Sequence, residues 1–349
     1  MKYSFIIPVF NRPDEVDELL ESMTRQTLTD FEVVVVEDGS QNDCRSVCDK
    51  YVDRLTLHYF KKENSGPGQS RNYGVERAQG TYVIILDSDV VLPDDYLAAV
   101  DAELTRKPCD AFGGPDRAHS SFTPVQKAIS YSMTSFFTTG GIRGGKKKMD
   151  KFYPRSFNMG VRRDVYQRLG GFSKMRFGED IDFSIRIFKA GCSCRLFPKA
   201  WVWHKRRTDF RKFWRQVFNS GIARINLYKK YPESLKLVHL LPMVFTIGVT
   251  LLLLIAVAGF AGALCSSDAA ITRPLFALAI LALLPMILYA GLVFFDSAMK
   301  NSSLWIGLLS IRAAFTQLIG YGCGFLTAWW KRCVKGQDEF AAYRKNFYK

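Results

Sequence analysis

The amino-terminal part of the chain alternates short apolar runs with helical periodicities. Lys2–Val9 is rich in β-forming residues, and Asp14–Gln26 places Val16, Leu19, Leu20 and Met23 at helical spacing. Phe31–Val36 predicts a second strand, Asp43–Tyr51 a short helix and Leu55–Phe60 a third strand. Gly68–Gln79 predicts a helix entered through a Gly/Pro loop. Tyr82–Leu86 is an unbroken apolar run that reads as a buried fourth strand, and Pro93–Arg106 as a helix with proline in its first turn. This order predicts an α/β domain with a mostly parallel sheet and helices on both faces. Ligands of such sheets bind beyond the carboxyl ends of the strands. Here those ends carry Pro8–Asn11, Glu37-Asp38-Gly39-Ser40 and Asp87-Ser88-Asp89.

Beyond Ala111 the pattern is less regular. Phe122–Phe137 predicts a helix, and Thr138–Asp150 is a Gly/Lys-rich loop. Ser156–Val161 reads as a strand, Arg163–Leu169 as a helix closed by Gly170-Gly171, Ile181–Lys189 as a helix ended by Gly191, and Arg195–His204 as extended chain. Phe210–Tyr231 interleaves aromatic residues with Arg and Lys, an amphipathic helix suited to a bilayer interface or to packing on the preceding domain. Leu237–Leu264 and Ile271–Phe295 are nearly uncharged and long enough to cross a bilayer. Leu304–Trp330 is ambiguous, with Arg312, Gln317 and Gly320/Gly322/Gly324 inside it. A third crossing would leave the basic tail outside, against the positive-inside bias, so an interfacial or re-entrant segment is expected. The expected organisation is a soluble domain over 1–205, an amphipathic segment over 206–236 and a membrane region over 237–349.

Charge refines this picture. The 349 residues carry a formal charge of +15. The basic clusters lie at Arg143–Lys151, Lys205–Arg215, Lys229-Lys230 and Lys331–Lys349. Next to membrane spans, each basic residue near an anionic surface contributes about 1 kcal/mol, so membrane lipids rather than nucleic acid are the expected partner of this charge. Phe5–Phe10 is too short for a signal sequence and contains Pro8. The expectation is a multi-pass protein of the inner (cytoplasmic) membrane with its amino-terminal domain on the cytoplasmic side. The eight cysteines are scattered, with no histidine near the close pairs Cys44/Cys48 and Cys192/Cys194, which argues for reduced thiols over a zinc site.

The candidate chemistry lies in two acidic motifs. Asp87 and Asp89, separated by one small residue at a strand end, can both reach a hard divalent cation and a diphosphate it carries. Gly178-Glu179-Asp180 opens a helix, from whose start a carboxylate can project into a cleft as a base. The combination suggests group transfer from a nucleotide-activated donor.

The motifs Ser4–Asn11 (SFIIPVFN), Val33–Ser40 (VVVVEDGS), Asn64–Asn72 (NSGPGQSRN), Leu86–Val90 (LDSDV), Ser156–Gly160 (SFNMG), Gly170–Phe172 and Gly178–Asp182 (GEDID), followed by Trp203-His204, resemble family 2 glycosyltransferases of the GT-A fold. The resemblance spans about the first 205 residues, in the family's order. It implies that Pro8 and Phe10 pack against the nucleotide base and ribose, with Asn11 and Ser88 also among the nucleotide-sugar contacts. Asp38 would accept a hydrogen bond from a uracil-type base. Glu37 stands where an Asp-Asp pair is commoner, and Arg71 would lie near the nucleotide. Asp87 would sit near the ribose and metal, and Asp89 would ligate Mg²⁺ or Mn²⁺. His204 is a further ligand candidate, since imidazole suits Mn²⁺. Asp180 resembles the general base, with Glu179 orienting it or the acceptor. Asn158 and the Gly-Gly-Phe loop resemble the floor under donor sugar and acceptor.

The implied activity is inverting, metal-dependent transfer of a sugar from a nucleotide-diphosphate sugar, UDP-sugars favoured, to a hydroxyl. The membrane half loosely resembles the branch acting on lipid-linked or cell-envelope glycan acceptors. Processive synthases carry Gln-x-x-Arg-Trp, whereas Gln216 is followed by Val-Phe-Asn-Ser, so one sugar per encounter is expected. The Arg143–Lys151 loop is read equally as a holder of an acceptor phosphate and as a solvated loop. Two other readings are a nucleotidyltransferase and a non-catalytic membrane scaffold. The first wants a Gly-rich signature after the first strand, where this chain has Pro-Val-Phe-Asn-Arg-Pro. Retention of Asp38, Asp87, Asp89 and Asp180 argues against the second.

Overall fold

The computed structural model describes residues 1–117, 121–139 and 152–339. The basic segment Arg143–Lys151 and the last ten residues of the basic tail lie outside the described residues. The rest falls into two compact units. One comprises residues 1–117 and 152–205 together with Glu339; the other comprises 121–139 and 206–338.

In chain order the first unit runs β1 (Tyr3–Val9), α1 (Pro13–Thr24), β2 (Phe31–Asp38), α2 (Arg45–Asp49), β3 (Leu57–Lys62), α3 (Pro67–Arg77), β4 (Tyr82–Leu86), β5 (Val90–Val91), α4 (Tyr96–Arg106), β6 (Ala111–Gly113) and β7 (Asp116–Arg117). The chain leaves it for α5 (Pro124–Thr134) and the single turn α6 (Phe136–Thr139). It then returns as β8 (Asn158–Arg162), α7 (Arg163–Arg168), α8 (Glu179–Lys189), β9 (Cys194–Leu196) and β10 (Val202–His204).

A seven-stranded sheet has the order β3-β2-β1-β4-β8-β6-β9. β3, β2, β1 and β4 are mutually parallel, β8 runs antiparallel to both neighbours, and β9 is parallel to β6. The sheet is therefore mixed but mostly parallel. Strand alternation sends side chains to two separate cores. Phe5, Ile7, Val33, Val35, Ile84 and Leu86 pack with Val16, Leu19 and Leu20 of α1 and Leu97 and Val100 of α4. Ile6, Val34, Val36, Val83 and Ile85 pack on the other face with Val75 of α3, Val165 and Tyr166 of α7 and Phe183 and Ile187 of α8. Burial on both faces is why Val33–Val36 and Tyr82–Leu86 are continuous apolar runs.

Arg195–His204, expected as one extended stretch, divides between two sheets. Cys194–Leu196 closes the edge of the large sheet, while Val202–His204 is the middle strand of a small sheet ordered β5-β10-β7. Its pairing sets His204 opposite Val90, so the histidine reaches the loop after β4.

The second unit gathers α5, α6, α9 (Phe210–Lys230) and three long helices, α10 (Leu241–Cys265), α11 (Ala269–Asn301) and α12 (Leu304–Trp329). All three are long and apolar enough to cross a membrane. The segment expected to be interfacial or re-entrant is one unbroken helix. A helix of this length, rising about 1.5 Å per residue, exceeds the roughly 30 Å hydrocarbon core. It is also the most enclosed of the three, and α9 packs along it through Val217, Phe218 and Gly221. α11 continues past its apolar stretch and contains Pro274 and Pro285. Helix α5 starts from a Thr123/Gln126 capping box and is tied to α11 by the Tyr131 hydroxyl, which donates to Asp296 at 2.6 Å.

Candidate active site

β2, β1 and β4 are adjacent and parallel, so their carboxyl ends deliver Asp38–Ser40, Phe10–Arg12 and Asp87–Asp89 to one rim of the sheet. The loop after β1 is held through Asn11, whose backbone is left-handed at φ 54°. Its Oδ1 accepts from the amides of Gln41 and Asn42, at 3.0 and 3.1 Å, and its own amide donates to Ser40 Oγ at 2.7 Å. Phe10 beside it is 40% exposed, an apolar ring left open to solvent at the rim.

Asp87, Asp89 and His204 each offer a ligand atom, and these atoms lie within 4.8 Å of one another. His204 Nε2 is 3.2 Å from Asp89 Oδ1, and its ring stacks on Phe157 with centroids 4.9 Å apart. Its Nδ1 is buried and has no hydrogen-bond partner among the described residues. Two carboxylates and an imidazole form a donor set suited to a divalent cation, and to Mn²⁺ in particular among oxygen-preferring ions. The residues therefore fit the ion that the sequence implies.

The second motif is joined to the first through Arg71. Gly178, at φ 88°, turns the chain into α8 and brings Glu179 and Asp180 to the helix start. The Arg71 guanidinium, from α3, spans both motifs: Nη2 donates to Asp87 at 2.8 Å and Nη1 to Glu179 at 3.2 Å. Arg71 is 3% exposed and packs over the Phe172 ring, so this bridge is a fixed strut. Asn72 clamps the Gly-Gly-Phe loop, donating to Phe172 O and accepting from Phe172 N, both at 2.8 Å. Arg186 donates to Leu169 O and Gly171 O and pairs with the fully buried Asp182, which fastens α8 to that loop.

The two acids of the motif are set apart by their surroundings. Burial pushes the Glu179 carboxyl above the usual carboxylate range, against the pull of Arg71. Burial would raise Asp180 as well, but the Arg155 guanidinium, with Nε 2.6 Å from Oδ2, outweighs it and holds that carboxyl below the usual range. The surroundings thus favour the ionised form of Asp180 and disfavour that of Glu179.

Other residues in the sequence-derived set have roles within the scaffold. Glu37 is fully buried; one oxygen accepts from Ser40 Oγ and the other from the Cys44 amide at 2.8 Å, so it braces the loop from beneath instead of facing the cleft. Asp38 is 3% exposed and accepts from Lys62 Nζ and from the amides of Ser65 and Gly66, both at 2.9 Å. Asn158 is 1% exposed, accepts from the Tyr96 hydroxyl and donates to Ala200 O, which pins β8 beside Asp87. Pro8 is half-buried between the core residues Ile7 and Val9 of β1, and Ser88 is buried between the two aspartates. Three cations that sequence reasoning did not single out also belong here: Arg12 on Asp89, Lys62 on Asp38 and Arg155 on Asp180. Their partners are 77, 24 and 25 residues away, beyond any local periodicity.

The turn after Asp38 supplies a stability test. Gly39 has φ +74°, and a Cβ there would lie 2.7 Å from Asn64 N. Gly39→Ala is expected to destabilise the protein by about 1–3 kcal/mol. A thermal midpoint equal to that of the parent would show that the loop yields freely.

Residues 4–170 match the profile of glycosyl transferase family 2. TarS of Staphylococcus aureus (strain Mu50), a poly(ribitol-phosphate) beta-N-acetylglucosaminyltransferase, is 39% identical over 93 residues, 26% of this chain and 16% of that protein. Glycosyltransferase AglE of Haloferax volcanii is 25% identical over 251 residues, covering 70% of this chain and 80% of AglE. The chain spans only 13% to 16% of the length of the first curated relatives it matches. Among solved structures, the mannosyltransferase PcManGT from Pyrobaculum calidifontis, in complex with GDP-Man and Mn²⁺, superposes with a TM-score of 0.57 at 18% identity, covering 95% of this chain and 88% of that one. At that identity the likeness speaks for the fold. Residues 4–170 thus carry the profile of glycosyl transferase family 2 on a GT-A fold.

Proposed function

We propose that the chain transfers one sugar per encounter from a nucleotide-diphosphate sugar, UDP-sugars favoured, to a hydroxyl of a lipid-linked or cell-envelope glycan acceptor. The observation that carries this reading is the Arg71 bridge, which ties the cation-ligand motif to the Glu179-Asp180 motif. Asp180 takes the acceptor hydroxyl's proton as its oxygen attacks the anomeric carbon from the face opposite the leaving group, which inverts the configuration. Glu179, held by Arg71, orients the acceptor or the base. Phe10 offers its exposed ring to the nucleotide, and Asp38 and Arg71 line the base side. Mg²⁺ or Mn²⁺ held by Asp87, Asp89 and His204 would offset charge growing on the departing nucleoside diphosphate. The three apolar helices suit anchorage in the cytoplasmic membrane, and the basic α9 before them suits a catalytic unit on the cytoplasmic side, although a third full crossing would carry the basic residues after α12 outward, against the same bias.

The purified full chain, incubated with UDP- and GDP-sugars and Mn²⁺, is expected to release nucleoside diphosphate. Pyrophosphate released from a nucleoside triphosphate plus a sugar phosphate, with no diphosphate from the sugar donors, would indicate a nucleotidyltransferase, and no product in either assay a scaffold.

Arg155 supplies a pH test. It keeps Asp180 ionised to lower pH, and acceptor activation needs the ionised form. Arg155→Gln therefore raises the Asp180 pKa and moves the acid limb of the kcat/KM profile to higher pH. Solvent screens part of this effect, because the Arg155 side chain is 40% exposed. An acid limb that stays in place would separate Arg155 from the base.

A further inference from the structure

Among the described residues, Asp89 meets an imidazole and a guanidinium from distant parts of the sequence. His204 Nε2 faces Oδ1 at 3.2 Å, and Arg12 Nη1 faces Oδ2 at 3.0 Å. Asp89 is 7% exposed, and a carboxylate so enclosed is costly without an opposite charge.

The backbone around Arg12 is fixed on both sides. Asn11 is pinned by the amides of Gln41 and Asn42, and the Arg12 carbonyl accepts from Val16 N at 3.1 Å as α1 begins at Pro13. The side chain is one-third exposed, so its freedom lies there. Glu15 Oε1 lies 3.4 Å from the same Nη1, so the guanidinium keeps a carboxylate partner if Asp89 is taken from it.

We propose that Arg12 is a tethered counter-cation for Asp89: it neutralises the carboxylate in the cation-free protein, competes with the divalent cation for it, and when displaced turns toward the donor's diphosphate. The inference rests on Asp87, Asp89 and His204 as a cation site. Coordination through Oδ2 competes with this charge-assisted hydrogen bond, and coordination through Oδ1 sets the guanidinium beside a divalent charge, so at either oxygen the closed pair lowers the apparent affinity for the cation. The released guanidinium stands on the loop that carries Phe10 and Asn11, at the rim where the nucleotide is expected. A diphosphate gives it a new partner only after the cation has displaced it. Cation and nucleotide then strengthen each other's binding by one reciprocal factor.

The test is titration of the full chain in detergent with Mn²⁺, following free Mn²⁺ by electron paramagnetic resonance with and without UDP. Without UDP, Arg12→Gln is expected to bind Mn²⁺ at least about threefold tighter than the parent, a modest factor because the pair is partly solvent-screened. UDP should improve Mn²⁺ binding by a smaller factor in Arg12→Gln than in the parent. Arg12→Lys, which keeps the charge, should stay near the parent in both measurements. Arg12→Gln with Mn²⁺ affinity equal to or weaker than the parent's would overturn the proposal. Asp89→Asn tells this failure from a deeper one. If Asp89→Asn loses Mn²⁺ while Arg12→Gln changes nothing, the Arg12 proposal alone fails. If Asp89→Asn binds Mn²⁺ like the parent, the cation site itself is wrong.

Discussion

Asp180→Asn is expected to lower turnover by about 10²–10⁴ while leaving nucleotide binding intact, the span general-base assistance usually supplies. Asn has nearly the same shape and can still accept from Arg155, but its amide cannot take a proton at working pH. Asp180 is 7% exposed, so the substitution leaves little room for a water to replace the lost group. The neighbouring acid is poorly placed to take over, because burial raises Glu179 and its Oε1 already accepts from Arg71. Arg155, 40% exposed, can be hydrated once its ionic partner is gone, so the fold should tolerate the change. The paired measurements are kcat at saturating donor and UDP affinity by calorimetry. Parent-like turnover would remove Asp180 from the reaction, and lost UDP affinity would recast it as a binding residue.

Asp89→Ala is expected to act on the other wall of the cleft. It removes a carboxylate that Arg12, His204 and a candidate metal site share. Without it the donor's diphosphate loses its cation, and kcat/KM should fall by about 10²–10³, the range seen when one transition-state charge contact is deleted. Binding gives a readout independent of activity. A ligand that binds only the folded protein raises its unfolding midpoint, so UDP with Mn²⁺ should raise the parent's midpoint more than UDP with a chelator. In Asp89→Ala this difference should vanish, while the Mn²⁺-independent part of the UDP effect remains. A variant that keeps the full Mn²⁺ increment would place the cation elsewhere.

Elements buried on two faces were legible in the sequence, because a packed interior writes itself as uninterrupted apolar residues. Tyr82–Leu86 is the same strand in both readings and the helix after it, α4, differs only at its start, whereas Phe122–Phe137, expected as one helix, is split at Ser135 into α5 and α6. The acidic loops were legible because a parallel sheet brings consecutive strand ends to one rim. Pairing across the fold was not. Nothing local to Arg155 marks it as the partner of Asp180, and Glu37 looked like part of an acidic rim although its carboxylate turns inward to Ser40 and Cys44. α5 lies between segments of the first unit in sequence yet packs in the second, since its apolar side meets α12 and its Tyr131 meets Asp296. α11 runs six residues past the apolar window that ended at Phe295, to Pro-free sequence from Asp296 whose Lys300 pairs back one turn, a polar extension hydropathy alone does not register.

The central claim is that one cleft holds a cation on one side and a proton acceptor on the other, with a nucleotide-sugar between them. A structure of the full chain with Mn²⁺ and a non-hydrolysable UDP- or GDP-sugar, recorded with anomalous scattering at the manganese edge, tests this most directly. The account predicts a manganese peak bonded to Asp89 and bridging the diphosphate, with the anomeric carbon facing the side chain of Asp180. Manganese bound away from Asp89, or Asp180 turned from the sugar with no shared cavity, would contradict it.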